Sequence, residues 1–405
     1  MKILIFPYQL VMSGTVVNAI DLAAALRDLH GFDVVLFATP GPLVKLVEEK
    51  DLRFLPAPSA RFHPAPARMS ALRDAVRSER PDLVYVWDWM QCIDAYYAHL
   101  MMRVPMAVTD MSMSLPHILP KSLPTTFGTP ELVDQARASG RQRVELLLPP
   151  VNVHRNAPGA VDPRIFREQY GIEDGDIAVV TVSRFDEWMK AESLVRTVDA
   201  IRVLGRDFPL RLVLVGDGSA RSKLESLAGE TNSELGRPAV VLTGELLDPR
   251  PAYAAADIVV GMGGSALRGM AFGKPVIVVG KRSFSAPLTP ETARFFLYNG
   301  IYGCGDGSSS TARLVASVRH LTEHREERLA LGRFARQFVL DHFSLEKVCA
   351  GLAVFCRHSA AGISPFHVTA ADGIRTAAVY LRERRFSSGL KGPWRFGRHR
   401  QPAQC

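Results

Sequence analysis

Arg184 and Lys190, six residues apart in Arg-Phe-Asp-Glu-Trp-Met-Lys, follow directly on the apolar run AVVTVS. Two cations at the end of a strand and before a helix can converge on one anion. A planar guanidinium fork beside a compact ammonium suits a diphosphate. Taken alone, the pattern fits equally an exposed loop with two solvated cations. A second candidate is Gly261-Met-Gly263-Gly264-Ser265, between a strand and the helical stretch SALRGMAF. Glycines there let backbone N–H groups approach an anion at the positive end of a helix, or they serve a tight turn. A third is Ser13-Gly14-Thr15, which opens a helix after the first strand and reads either as an anion contact or as a simple N-cap. Two carboxylates complete the set. Asp110 ends the strand VPMAVT, and Asp88 stands between Trp87 and Trp89 at the end of another. Either reads as a ligand for hydroxyl groups or as a loop cap.

These residues need a scaffold that ends several strands at one edge, and the chain supplies it. MKILIFPY, FDVVLFAT, PDLVYVWDW and VPMAVTDM are short apolar runs separated by helical spacing. Strands this apolar have no wet face, so the pattern predicts a parallel sheet covered on both sides. VELLLPPVNVHRNAPGAVDPRIF, with four prolines, interrupts it, and the alternation restarts at DIAVVTVSRF. The boundaries expected are a Rossmann-like domain over 1–150, a linker at 151–165 and a second Rossmann-like domain over 166–340. A closing helix at 341–358 and an extension at 359–405 follow. Two such halves imply a cleft, with ligands at the carboxyl ends of the strands.

Composition excludes several classes. The 405 residues are 47% hydrophobic and 22% charged, ordinary values for a globular chain. No apolar run reaches the roughly 18 residues of a membrane span. MKILIF reads as a first strand, and the expected location is the cytosol. The five cysteines are odd in number and scattered, which supports neither a disulfide framework nor a zinc site. The formal charge of +8 is concentrated in the segment from Arg382 to Cys405, which holds seven basic residues and one acidic one. That distribution argues against a nucleic-acid partner. It leaves a frayed basic tail or a peripheral contact with an anionic membrane at the inner face.

Taken together, the segments resemble the GT-B glycosyltransferases, specifically the retaining family 4. LRLVLVGDGSARSKLESLA, VVLTGEL, YAAADIVV, GMAFGKPVIVVG, FLYNGIYGCGDG and HFSLEKVCAGLAVFCR follow in that family's order. Arg184 and Lys190 fall where the family keeps a diphosphate pair. The resemblance implies an α/β GT-B architecture, a nucleotide-sugar donor, no metal or other cofactor, and retention of configuration in what is expected to be hexosyl transfer. It also implies donor contacts at Gly14, Arg184, Lys190, Gly263, Gly264 and Ser265, with Asp88 and Asp110 toward an acceptor of unknown identity. Arg184, Lys190 and Asp110 are the expected catalytic groups. The family's paired glutamates are absent: Arg268 and Val260 occupy their places. Arg268 then reads as a donor contact of its own kind, and a non-catalytic sugar- or partner-binding relative is the alternative to an enzyme.

Overall fold

Ile3, Leu4, Ile5 and Phe6 are all buried, so the first strand has no solvent face. Ile3 and Ile5 enter one hydrophobic cluster, Leu4 and Phe6 another, as alternation along a strand covered on both sides requires. The computed structural model describes residues 1–7, 9–100, 102–187, 190–307 and 311–387. Trp188, Met189 and the basic tail beyond residue 387 lie outside them. The chain divides into two compact units. Among the described residues, unit 1 comprises Met1–Pro150 and the stretch from Leu345 to Ser387, and unit 2 comprises Val151–Ser344.

Unit 1 runs β1 (Lys2–Phe6), α1 (Gly14–His30), β2 (Asp33–Ala38), α2 (Val44–Glu49), β3 (Arg53–Pro56), α3 (Pro66–Glu79) and β4 (Leu83–Trp87). It continues α4 (Trp89–His99), β5 (Met106–Asp110), β6 (Thr125–Phe127), α5 (Pro130–Ala138) and β7 (Val144–Leu146). Its seven strands are parallel in the order β3-β2-β1-β4-β5-β6-β7.

Unit 2 holds α6 (Arg164–Gln169), β8 (Ile177–Val182), α7 (Ala191–Leu204), β9 (Leu210–Val215), α8 (Arg221–Leu235), β10 (Val240–Gly244) and α9 (Arg250–Ala255). Then come β11 (Ile258–Gly261), α10 (Gly263–Ala271), β12 (Val276–Val279), β13 (Ser285–Pro287), α11 (Pro290–Asn299), α12 (Ala312–Glu323) and α13 (Arg325–His342). Its sheet has the order β10-β9-β8-β11-β12-β13, parallel except for β13. Residues Val151 and Ser344, where the chain enters and leaves this unit, form a parallel bridge, with Val151 N–H donating to the Phe343 carbonyl at 2.7 Å.

Two further helices return to unit 1. α14 (Leu345–Ala360) packs on α1 and β4 and places Leu345, Val348, Leu352, Phe355 and Cys356 in the core. α15 (Phe366–Ser387) is pinned by polar contacts: Tyr96 and Tyr97 hydroxyls donate to the carbonyls of Thr369 and Gly373, and Asp372 accepts from Ser122 N–H. Cys92, Cys349 and Cys356 are buried free thiols. No helix among the described residues is long and apolar enough to cross a membrane.

Candidate active site

In each sheet the chain reverses direction across one strand pair, β1/β4 in unit 1 and β8/β11 in unit 2. In open α/β sheets the loops leaving such a pair of strands diverge, and the crevice at their carboxyl ends is where ligands bind. The residues singled out above fall at these two places.

In unit 2, β8 runs into the Ser183–Lys190 loop. Its shape is set by the neighbouring strand end: Ser183 N–H donates to Val215, Phe185 N–H to Asp217 and Ala220 N–H to Phe185. Phe185 is fully buried beneath the loop, while the Arg184 side chain is exposed. Lys190 stands at the N-cap of α7, its N–H donating to the Asp186 carbonyl at 3.2 Å. Burial, with Arg184 adding to it and Asp186 opposing, pulls the Lys190 ammonium down to about 8. Neither side chain has an ion-pair partner among the described residues. Two cations, one of them desolvated and neither neutralised, make a place for an anion.

Across the crevice, β11 leads into α10. Gly263 has φ +56°, a backbone favoured by glycine. Its amide, expected to face the ligand, is engaged instead, donating to the Ile301 carbonyl at 2.7 Å. Gly264 and Ser265 occupy the next two positions of the first turn, whose N–H groups have no partner within the helix. The Ser265 hydroxyl turns back to the Met262 carbonyl at 3.0 Å. Arg268 is half-buried, with Nη1 3.5 Å from the Gly264 carbonyl at an exposed position along the first turn. Val260 is core. No carboxylate on α10 takes the place of either family glutamate.

Sequence reasoning passed over Gly216 and Gly218, which shape the neighbouring loop. Their φ values are +141° and +152°. A Cβ on Gly216 would collide with the Ser183 carbonyl oxygen, and one on Gly218 would lie 2.7 Å from that of Phe185. The signal available in the sequence is glycine-x-glycine at the end of an apolar run.

In unit 1, Ser13 caps α1, its hydroxyl accepting from Val16 N–H at 3.2 Å. Gly14 is exposed, with open space where a Cβ would stand. Asp88 caps α4, its Oδ1 accepting from Trp89 N–H at 2.5 Å, and holds φ 73°, ψ 154°. That region is essentially reserved to glycine and costs about 1–3 kcal/mol. Asp88 N–H donates to the Thr109 carbonyl, which places Asp88 beside Asp110. Asp110 is buried. Its Oδ1 accepts from the backbone N–H and hydroxyl of Ser112, while Oδ2 has no partner. Burial, reinforced by the Asp88 charge, pushes Asp110 up to about 7, and burial raises Asp88 as well. Of the flanking tryptophans, Trp87 is core and Trp89 half-buried. Among the described residues no group of three or more His, Cys, Asp or Glu is arranged to hold a metal ion.

Comparison with known proteins agrees with this geometry. A glycosyltransferase from Rickettsia africae superposes with a TM-score of 0.71 at 16% identity, covering 88% of this chain and 98% of its own. Anabaena Alr3699/HepE, solved in complex with UDP and with UDP-glucose, gives 0.69 at 16% identity over 88% of this chain and all of its own. These likenesses establish the fold. Residues 12–123 match the family described as Glycosyltransferase Family 4, and residues 176–295 match Glycosyl transferases group 1. The chain is a GT-B glycosyltransferase related to family 4. No curated protein matches the sequence.

Proposed function

We propose that this enzyme transfers a sugar from a nucleotide-diphosphate sugar to an acceptor hydroxyl, with retention of anomeric configuration. The observation that carries this is the pair Arg184 and Lys190, two cations without ion-pair partners among the described residues, at the switch point of the unit 2 sheet. Charge accumulates on the diphosphate as the bond from the sugar C1 to phosphate oxygen breaks. Fixed donors already aimed at that oxygen stabilise it without reorganisation. In this reading Arg184 and Lys190 supply the cations, Gly264 and Ser265 the amides, and Arg268 a third positive group. Gly14 adds a backbone contact, and Gly263 serves by shaping the turn. Asp88 and Asp110 orient the acceptor. Retention is supported by the relationship to family 4, and the UDP and UDP-glucose complexes of the Anabaena protein make uridine the first base to test. The basic residues beyond Arg382 supply the charge for contact with anionic lipid.

A thermal-shift panel of nucleoside diphosphates tests the donor reading, since a ligand bound only by the folded state raises Tm. Arg184→Ala and Lys190→Ala should each lower kcat/KM for the donor about 10- to 100-fold, corresponding to about 1.5–3 kcal/mol of charge-assisted hydrogen bonding. Parent-like kinetics in both variants would place the donor elsewhere.

A further inference from the structure

α15 is fastened to unit 1 along one side and carries its large apolar residues on another. Thr369, Gly373 and Thr376 are buried. Around them lie the hydrogen bonds from Tyr96 and Tyr97 to the helix carbonyls and from Ser122 N–H to Asp372. Arg375 adds two more, donating to the carbonyls of His117 and Leu119 at 3.0 and 2.7 Å. Residues three, four and seven apart share a side of a helix. By that spacing Phe366, Ala370, Ile374, Ala377, Ala378 and Leu381 line a different face, with His367 among them. Phe366 is 71% exposed, Ile374 74% and Leu381 63%. The polar fastenings fix the helix about its axis and hold this face outward. One exposed leucine is ordinary, but three large apolar side chains in line along one helix form a patch.

The charge that adjoins the patch is of one sign. Arg382 is exposed at its C-terminal end, and the sequence from Arg382 to Cys405 carries seven basic residues and one acidic one. Trp394 and Phe396 stand among those arginines, and aromatic rings beside cations suit the boundary between water and hydrocarbon. At the other end, the first turns of α15 border a cavity of about 400 Å³, lined by Val368 and Asp372 on one side and by Lys121 and Arg143 on the other. Both of these cations are exposed and donate to main-chain carbonyls, Lys121 to that of Ser139 and Arg143 to that of Ser122. A second copy seated on this face would bring two basic tails together, which like charge opposes. An anionic bilayer meets both features at once, with an apolar layer for the side chains and negative headgroups for the cations.

We propose that α15 is a membrane-docking helix. Phe366, Ile374 and Leu381 enter the boundary between headgroups and acyl chains of an anionic bilayer, while Lys121, Arg143, Arg382 and the basic residues beyond it meet the headgroups. This rests on the reading of the tail as a contact for anionic lipid, and adds to it an apolar part that charge alone does not supply. The two parts reinforce each other, because binding of such a helix scales with buried apolar area plus attraction to anionic lipid.

Cosedimentation of the full chain with phosphatidylcholine vesicles, with and without about one third phosphatidylglycerol, tests this. The parent should bind the anionic vesicles and lose at least about tenfold in partitioning between about 0.05 and 0.5 M salt. The triple variant Phe366→Gln, Ile374→Gln, Leu381→Gln keeps every charge and should partition at least about tenfold more weakly at the lower salt. Its Tm should match the parent's, since the three side chains are exposed. Ile374→Trp should bind at least as tightly as the parent, a gain that damage to the fold would not produce. Parent-like binding by the triple variant overturns the proposal and leaves the tail reading standing. Replacing Lys391, Arg395, Arg398 and Arg400 by Gln should remove most of the salt dependence, and parent-like binding there overturns the tail reading instead. Failure of the parent to bind anionic vesicles overturns both. A parent dimer in analytical ultracentrifugation that the triple variant dissolves assigns the face to a second copy and overturns the proposal.

Discussion

At the scale of single residues, burial works on two groups in opposite chemical senses. It discourages charge on Lys190, whose function requires charge, and on Asp110, whose neutral form can donate a hydrogen bond. With its value lowered to about 8, the Lys190 ammonium still predominates at neutral pH, and an arriving diphosphate favours that charged form further. Asp110 has a consequence for stability. Its carboxyl titrates near about 7 in the folded chain and near the ordinary 3.8 when unfolded. Between those values the folded state keeps a proton that the unfolded state releases. Stability therefore falls as pH rises through that window and stays at its lower value above it. Asp110→Asn carries no charge at any pH. At about pH 8 it should melt a few degrees above the parent, and at about pH 5 the gap should be markedly smaller, closing only as the pH approaches 3.8. Scanning calorimetry at the two pH values checks this, and an equal gap at both would mean that Asp110 ionises normally.

At the scale of elements, the donor-side loop is shaped by the turn beside it. Ser183–Phe185 can lie flat against the end of β9 only because Gly216 and Gly218 offer no side chain there. Gly216→Ala meets both a collision and an unfavourable φ, so the loop must move. Nucleotide affinity should fall at least about tenfold, with a loss of about 1–3 kcal/mol in stability. Isothermal titration alongside denaturant unfolding measures both, and unchanged affinity would free Arg184 from dependence on this turn. The same contacts explain what was legible beforehand. Long apolar strands and amphipathic helices such as α7 announce themselves by period, and the fold class followed from them. The three-residue strands β6, β7 and β13 are too short to show a period. The Arg184 and Lys190 pair was readable because both cations sit on one loop. The engagement of the Gly263 amide by Ile301 was not, because that carbonyl arrives from 38 positions away.

At the scale of the whole molecule, each unit completes its own sheet and its own hydrophobic core. Unit 1 is discontinuous in sequence, because α14 and α15 return to it after unit 2 is finished. Unit 2 is one uninterrupted stretch, and its first and last residues are hydrogen-bonded neighbours through the Val151–Ser344 bridge. Topologically it is a cassette set into a single break of its host. Excised as residues 151–344, it should fold cooperatively and retain the nucleoside diphosphate affinity of the full chain within about tenfold, as thermal unfolding with and without nucleotide would show. An unfolded fragment would mean that its core depends on the rest of the chain. Because the cassette's two ends meet, joining them with a short link and reopening the chain elsewhere on its surface should leave the fold intact. Such a circular permutant offers a route to grafting the half proposed to hold the nucleotide onto a different partner.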